Sequence, residues 1–290
     1  MNRIAALMLL STLVAGCQSI GADKEKDSVV AIRCWHYRDQ QPITREQLDY
    51  IRDRSDDGNL TCRTILGTLY ERGQGVPQDG PKAKALYLSV AQVHAEAYYH
   101  LGHLEEQGIG TPADYFKARD FYQRAANAGN SDSKVKLARL MEDGKGGPRD
   151  PQGALMLYFS ALDHSWGEAW DAIARLRDDG LTLSPEQENR YNEVWVNTAT
   201  ARLKRNIRTT QVTVLRRFKL DPGLRPIIIK VEFNPGSEVP VLSLLEGCGD
   251  SAIDQAVLQA TGSYRFSGQP IPSEALKDWN LVAVISPRSR

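Results

Sequence analysis

The sequence predicts a mainly α-helical protein, with an α-solenoid of stacked helix pairs followed by a small α+β domain of two helices and a three-stranded antiparallel sheet. The first observation is a repeat between about residues 60 and 180, in which Gly73, Gly108, Gly144 and Gly180 recur every 35 or 36 residues. A period of this length is typical of helix pairs that bury their apolar faces only by stacking on one another. The second observation is that the period stops near residue 199, where β-branched runs and turn residues begin.

Other residue types keep the same register as the glycines. The shared positions are two leucine columns, a small-residue column, an aspartate column and an alanine column: Leu66, Leu101, Leu137, Ile173; Leu69, Leu104, Leu140, Leu176; Gly67, Gly102, Ala138, Ala174; Asp79, Asp114, Asp150; Ala83, Ala118, Ala154. Residues three apart share a helix face, so each leucine pair marks the buried side of a first helix. The glycine-rich loop ends that helix, and the aspartate caps the second one.

These motifs resemble the Sel-one-like repeat family. The first unit carries the resemblance most fully, from Leu66-Gly67-Thr68-Leu69-Tyr70-Glu71-Arg72-Gly73-Gln74-Gly75-Val76-Pro77 through Asp79 to Lys82-Ala83. The third unit is weaker, and the fourth keeps Gly180 but loses the aspartate, as expected of a capping repeat. The resemblance implies right-handed stacking of helix pairs and a scaffold that assembles other proteins. A cysteine-rich branch of the family is linked to penicillin binding and hydrolysis, but this chain lacks its cysteine pair in each repeat.

Two further columns are candidate partner-binding residues. Tyrosines recur on successive second helices, at Tyr87, Tyr122 and Tyr158, and acidic residues recur near the ends of the first helices, at Glu71, Glu106, Glu142 and Asp178. Stacked tyrosines suit a binding groove, and they equally suit packing between helices. The acids are either a solvated edge or an acidic ridge that recruits a basic partner.

The N-terminal residues predict a lipoprotein leader. A basic start and an apolar run from Ile4 to Val14 lead to Leu13-Val14-Ala15-Gly16-Cys17. That run is too short to span a bilayer, and its end resembles the bacterial lipobox, in which the bond before the cysteine is cut and the thiol is acylated. Gln18 follows, and by the rule of that family this implies sorting to the outer membrane, with the protein facing the periplasm.

Three other cysteines remain, at positions 34, 62 and 248. Because the periplasm is oxidising, one disulfide is expected, and we predict that it joins Cys34 to Cys62 and leaves Cys248 unpaired and buried. The predicted organisation is a signal peptide at 1–16, a tether and entry segment at 17–42, of which residues 18–30 are the flexible tether, helical repeats with a capping helix at 43–198, and the α+β domain at 199–290.

The C-terminal region predicts, in order, a helix, a hairpin, a helix and a strand. The hairpin is read from the β-branched run Pro226–Phe233, the turn Asn234-Pro235-Gly236-Ser237 and a second strand from Val239 to Leu245. With the helix signature that begins at Gly249-Asp250, this region resembles the TonB/TolA C-terminal domain family. The resemblance implies docking onto partners by addition of a strand to the sheet edge. A lipobox in place of a transmembrane helix speaks against energy transduction.

Composition and motifs argue against several functions. Basic and acidic residues are balanced at 36 each, so nucleic acid is not an expected partner, although the basic segment 202–230 is a possible contact for an anionic envelope polymer. His100 and His103 share a helix face near Glu96 and Glu106, but the spacing lacks a convincing third metal ligand. We therefore predict no metal, no cofactor and no catalytic residues.

The favoured function is a scaffold for envelope proteins. The alternatives are an envelope enzyme that processes β-lactams or peptidoglycan, and a periplasmic binder of a small ligand.

Overall fold

A computed structural model describes residues 19–163, 166–273, 276 and 279–287, so Cys17 lies outside the described residues. The chain forms two compact units, which meet in sequence between Ala161 and Leu162. We call them the repeat unit and the C-terminal unit and describe each by itself. The described residues contain eleven helices and three strands, so the predicted mainly α fold with a small three-stranded sheet is confirmed. None of the described helices is both long and apolar enough to cross a membrane.

Between residues 19 and 161 the repeat unit consists of eight helices. They are α1 (Ser19–Asp39), α2 (Arg45–Asp56), α3 (Leu60–Arg72), α4 (Gly80–Leu88), α5 (Glu96–Gln107), α6 (Tyr115–Asn127), α7 (Ser131–Asp143) and α8 (Pro151–Ala161). Pairs α3–α4, α5–α6 and α7–α8 are the three repeats, and each of these six helices packs most closely on its sequence neighbours. This pattern of neighbour contacts is the expected property of a solenoid.

The repeat glycines end the first helix of each pair. Gly73, Gly108 and Gly144 have φ values of 68°, 66° and 67°, and the N–H of each donates back into the preceding helix. A side chain disfavours this left-handed conformation, which explains why glycine recurs at these positions. The aspartates then cap the second helices, as predicted: the carboxylates of Asp79 and Asp114 accept hydrogen bonds from backbone N–H groups three residues later.

The second glycine of each loop brings neighbouring elements together. A Cβ placed on Gly110 would lie 2.6 Å from Cδ of Pro81, and one on Gly146 would lie 2.2 Å from the carbonyl oxygen of Tyr115. Both positions also have positive φ, at 83° and 72°. Each loop therefore packs directly against the start of the second helix of the preceding repeat, and only glycine leaves room for that contact.

The predicted flexible tether is wrong, because α1 occupies most of it. Cys34 is buried and disulfide-bonded to Cys62 of α3, with Cα atoms 5.5 Å apart. The Asn59 side chain also donates to the carbonyl oxygen of Asp27, at 3.3 Å. Composition suggested a solvated chain, but the covalent link and the packing of α1 on α3 stabilise a helix that local sequence does not favour. The capping box predicted at the start of α2, from Thr44 to Gln47, is present.

In the part of the chain that the structure describes, the C-terminal unit contains three helices and the sheet. The elements are α9 (Trp166–Asp178), α10 (Pro185–Leu215), β1 (Ile227–Glu232), β2 (Val241–Glu246), α11 (Ser251–Gly262) and β3 (Asn280–Ile285). The strand order is β2-β1-β3, antiparallel throughout, with Lys230 paired to Ser243 on one side and to Val282 on the other. The boundary predicted from sequence at 198/199 falls inside α10, which runs through it without a break.

Side chains of α10 hold the C-terminal unit together. Ile227, Ile229 and Val231 on the inner face of β1 are buried in a core shared with α10 and α11. The Asn192 side chain both donates to the carbonyl oxygen of Ile271, at 3.0 Å, and accepts from its N–H, at 2.8 Å. Trp170 of α9 stacks on Tyr191 with ring centroids 3.6 Å apart. Cys248 is free and buried in the same core.

Candidate partner-binding surface of the repeats

The tyrosine column lies inside the repeats. Tyr87, Tyr122 and Tyr158 are at most 1% exposed, so of the two interpretations of this column the structure supports packing. Space for the rings comes from the small-residue column: a Cβ on Gly67 would lie 2.5 Å from the Tyr87 ring, and one on Gly102 would lie 2.6 Å from that of Tyr122. The glycine of each first helix thus allows a tyrosine of the second helix to pack directly against the backbone.

The acidic column receives the hydroxyl groups of those tyrosines. Tyr87 donates to Glu71 at 2.5 Å, Tyr122 to Glu106 at 2.6 Å and Tyr158 to Glu142 at 2.9 Å. Glu71 and Glu142 are buried and Glu106 is half-buried. The acidic ridge proposed as a binding surface is therefore not exposed in the repeats, because each carboxylate is turned inward as a hydrogen-bond acceptor. Asp178 differs, since it is exposed and belongs to the C-terminal unit.

Constant spacing relates the two columns. Each tyrosine follows its glutamate by 16 residues, in all three repeats. A hydrogen bond from a hydroxyl group to a carboxylate contributes about 1.5–3 kcal/mol to stability. A buried carboxylate no longer binds water, so it depends on this donor to satisfy it. Every pair of columns in a repeat keeps a constant distance, so the sequence carried no separate signal for this pairing.

The first of these pairs is extended by two histidines of the next repeat. Nδ1 of His103 lies 2.7 Å from Oε1 of Glu71, and Nδ1 of His100 lies 3.5 Å from Oε2. The His100 ring also stacks on Tyr87, with centroids 4.8 Å apart, and its Nε2 lies 3.9 Å from Glu96. His100 and His103 thus bind the carboxylate of the preceding repeat. Among the described residues no group of three or more potential ligands is arranged to hold a metal ion.

The contacts within this cluster lower the pKa of Glu71 and leave the pKa values of His100 and Tyr87 above their ordinary values. Burial alone would raise the pKa of Glu71, but hydrogen bonds from His100, His103 and Tyr87 lower it to about 2. Burial alone would lower the pKa of His100, but Glu71 and Glu96 raise it above its ordinary value. Burial, followed by the charge of Glu71, raises the pKa of the Tyr87 hydroxyl, which therefore stays protonated as a donor. A charged His100 and an ionised Glu71 thus stabilise each other at the junction of the first two repeats.

Stability of the repeat unit should depend on pH through this pair. A raised histidine pKa contributes stability that is full below the unfolded value of about 6.5 and is lost as pH rises through the folded value. The lowered Glu71 pKa contributes above its unfolded value of about 4.5 and is lost only as pH falls toward 2. We expect the urea midpoint to fall on raising the pH from about 6 to 9, and to fall less in His100→Gln. His36→Gln, an exposed position on α1, is the control, and identical pH profiles for wild type and His100→Gln would contradict the assignment.

An open recess of about 550 Å³ is lined by residues of all three repeats. Its lining includes Lys84 of α4, Glu105 of α5, the start of α6 with Asp114, Phe116 and Lys117, and Gly146. Nζ of Lys84 lies 2.5 Å from Oε1 of Glu105, whose carboxylate is buried. Phe116 stands at the recess with 75% of its surface exposed. The sequence did not predict this site, because its residues come from α4, α5, α6 and the loops beside them and follow no single column.

In the C-terminal unit a second, mainly apolar recess of about 520 Å³ is lined by Phe233, Pro235, Gly236, Gln269, Pro270 and Pro272, among others. The outer strands of the described sheet also expose apolar side chains, including Val282 and Val284 on β3. The cations of the basic segment that lie on α10, such as Lys204, Arg205 and Arg208, are exposed. These features are separate from the recess in the repeat unit.

Comparison with known proteins identifies the repeats. Residues 64–92, 95–130 and 131–165 match the family model of the Sel1 repeat. The alginate biosynthesis protein AlgK of Pseudomonas syringae pv. tomato is 28% identical over 109 residues. That match covers 38% of this chain and 23% of the relative, so the chain spans less than a quarter of the curated relative that it matches.

Two solved structures are similar to the chain. A protective antigen from uropathogenic Escherichia coli strains, which displays an SLR fold, has a TM-score of 0.50 at 21% identity, covering 68% of this chain and 43% of the antigen. A Sel1 repeat protein from Oxalobacter formigenes has a TM-score of 0.49 at 23% identity, covering 68% of this chain and 78% of that protein. Sel1-repeat proteins generally mediate protein–protein interaction and are typically not catalysts. The three matched segments, 64–92, 95–130 and 131–165, are thus similar in sequence to Sel1 repeats.

Proposed function

We propose that this protein is a scaffold lipoprotein of the bacterial envelope. In this proposal Cys17 anchors it in the outer membrane, the chain faces the periplasm, and the Sel1 repeats bind one or more envelope proteins. The observation that carries the proposal is the recess lined by residues of all three repeats, with its ion pair between the partly exposed Lys84 and the buried Glu105 and with the exposed Phe116. Aromatic side chains are enriched at protein–protein interfaces, and charged groups beside them set the specificity for a partner.

The side chains at the recess suit a peptide segment of a partner. Lys84 remains about a third exposed although its ion-pair partner Glu105 is buried, so its ammonium group has donors left for a carboxylate or carbonyl oxygen of the partner. Phe116 offers a large apolar ring with little conformational freedom to lose on binding. Together they favour a partner segment that places an acidic or carbonyl group beside an apolar side chain.

For the C-terminal unit we propose a second contact, by addition of a partner strand at the outer edge of β3. The support is that β3 lies at one edge of the described sheet and carries no charged residue that would oppose pairing. Main-chain hydrogen bonds give affinity in this mode of binding, and the side chains give specificity. The exposed cations of α10 support an additional contact with an anionic envelope polymer. The apolar recess beside Phe233 is the observation that favours the rival proposal, a binder of a small ligand.

The proposal is tested by crosslinking in intact cells. A photoreactive amino acid at position 116 should capture a discrete protein, whereas the same group at Val93, which is equally exposed in the repeat unit, should not. Lys84→Glu should reduce capture from position 116, because it reverses the charge at the recess. Cells carrying Cys17→Ser should release the protein from the membrane fraction to the soluble periplasm. Absence of a position-specific adduct contradicts the scaffold role, and unchanged membrane pelleting of Cys17→Ser contradicts the lipid anchor.

A further inference from the structure

Helix α1 has two unlike faces. One face is fixed to the repeats through the Cys34–Cys62 disulfide, with Val30 and Tyr37 packed against the same core. The opposite face exposes three large apolar side chains: 51% of Val29, 68% of Ile32 and 38% of Trp35. Val29, Ile32 and Trp35 are spaced three residues apart, so they lie on one side of the helix, and the exposed His36 lies on that side as well. Val29, Ile32 and Trp35 thus form an exposed apolar patch on one short segment, and such patches mark surfaces that bind a partner or a membrane.

Chain length places this face close to the proposed anchor. Helix α1 begins at Ser19, so only Gln18 separates it from Cys17. Two residues of chain reach at most about 7 Å. From Ser19 to Val29 the helix rises about 15 Å. With its first turn held that close to an acylated cysteine, α1 either lies along the bilayer or points away from it, and the exposed apolar face favours lying along it.

We infer that the exposed face of α1 lies in the lipid interface of the membrane that carries the Cys17 anchor. The inference rests on the proposed function and names the surface that the anchor brings the helix against. Val29 and Ile32 enter the boundary between headgroups and acyl chains, and Trp35 lies at headgroup depth, where tryptophan is preferred. The Arg38 guanidinium, 4.0 Å from the centre of the Trp35 ring and paired with Asp39, lies beside that ring at the level of the lipid phosphates.

Three apolar side chains alone bind a membrane weakly. The lipid anchor strengthens this contact, because it turns the binding of the α1 face into an intramolecular step. The disulfide then transmits the position of α1 to the repeats, since it fixes the helix on α3 from the side opposite the exposed face. The repeat unit is thereby held in one orientation on the membrane instead of swinging on a flexible linker.

The test uses the chain from Cys17 onward, coupled through that thiol to a maleimide phospholipid in vesicles. Cys34 and Cys62 are paired and Cys248 is buried, so coupling is directed to Cys17. The vesicles contain phosphatidylethanolamine, phosphatidylglycerol and a phosphatidylcholine with brominated acyl chains, which quench tryptophan on contact. The signal of Trp35 is the difference between the protein and its Trp35→Phe variant. We expect the brominated lipid to quench this signal about twofold or more, because the ring lies in the interface.

Val29→Glu combined with Ile32→Glu should restore most of the Trp35 emission, whereas Val93→Glu, which changes an exposed valine elsewhere in the repeat unit, should not. Retained helical circular dichroism and an intact Cys34–Cys62 bond show that the variants are folded. An unquenched Trp35, or quenching that is insensitive to the double substitution, would overturn the inference, as would adducts from position 32 to a protein instead of lipid in cells. Since the lipid is attached chemically, the result is independent of whether cells acylate Cys17, which fractionation of Cys17→Ser tests separately.

Discussion

Replacing Tyr122 with alanine should lower the free energy of unfolding of the repeat unit by about 4 kcal/mol. The Tyr122 ring is fully buried and fills the space above Gly102 at the junction of α5 and α6. Alanine would leave a cavity of nearly the whole ring, because the backbone of a packed helix pair relaxes only in part. It would also remove the donor to Glu106, whose carboxylate would then remain half-buried without this hydrogen bond.

Two further variants separate these contributions. Tyr122→Phe keeps the ring and removes only the hydroxyl group, so we expect a loss of about 1–3 kcal/mol. Tyr115→Ala, at an exposed position on the same helix α6, should change stability by about 0.5 kcal/mol or less. Urea unfolding followed by circular dichroism gives all three values. Equal midpoints for Tyr122→Ala and Tyr115→Ala would show that the tyrosine column does not hold the repeats together.

The repeat architecture could be predicted because its physical causes are local and recur. A left-handed turn selects glycine at positions 73, 108 and 144, and an uncapped helix start selects aspartate at positions 79 and 114. Each cause acts within a few residues, so it leaves its mark at a fixed place in the period. The order of helix, hairpin, helix and strand along the small domain followed from similar local signals, such as the turn at Asn234-Pro235-Gly236 between β1 and β2.

The direction in which the columns face could not be predicted in the same way. The acids were interpreted as a solvated edge or an acidic ridge because, at the end of a helix, a glutamate without a known partner is normally exposed to solvent. Its partner is a tyrosine on another helix, and the period alone does not show which columns meet. The contact of the two histidines with Glu71 could not be predicted from the period either. The third repeat has Lys136 and Arg139 at the corresponding positions, so the cluster is specific to one junction.

Tertiary contacts also decided the two segments whose local sequence was misleading. Helix α1 is polar enough to suggest a tether, but Cys34 and Tyr37 fix it to the repeats. The period ends near residue 199, yet α10 continues to Leu215 because Leu203 and Ile207 face the core of the C-terminal unit. Neither outcome follows from the residues of the segment alone, since both depend on the surface against which the helix packs.

Gly146→Ala should destabilise the repeat unit by about 2–4 kcal/mol, through two separate effects. The residue has a φ of 72°, a conformation that costs an L-residue about 1–2 kcal/mol. Its new Cβ would also lie 2.2 Å from the carbonyl oxygen of Tyr115 and 2.7 Å from the nitrogen of Phe116, which are backbone atoms and have no rotamer with which to move away. The third-repeat loop would therefore have to separate from the start of α6.

Gly129→Ala isolates the first effect. Gly129 has a φ of 91°, but a Cβ there would have no atom within 4 Å, so only the cost of the backbone conformation, about 1–2 kcal/mol, is expected. A larger loss of stability for Gly146→Ala than for Gly129→Ala measures the contact between neighbouring repeats, and equal losses would show that this contact is not required. The same contact shapes the recess, because Gly146 and Phe116 both line it. Gly146→Ala should therefore reduce partner capture from position 116 under conditions in which the protein is still folded, whereas Gly129→Ala should leave capture unchanged.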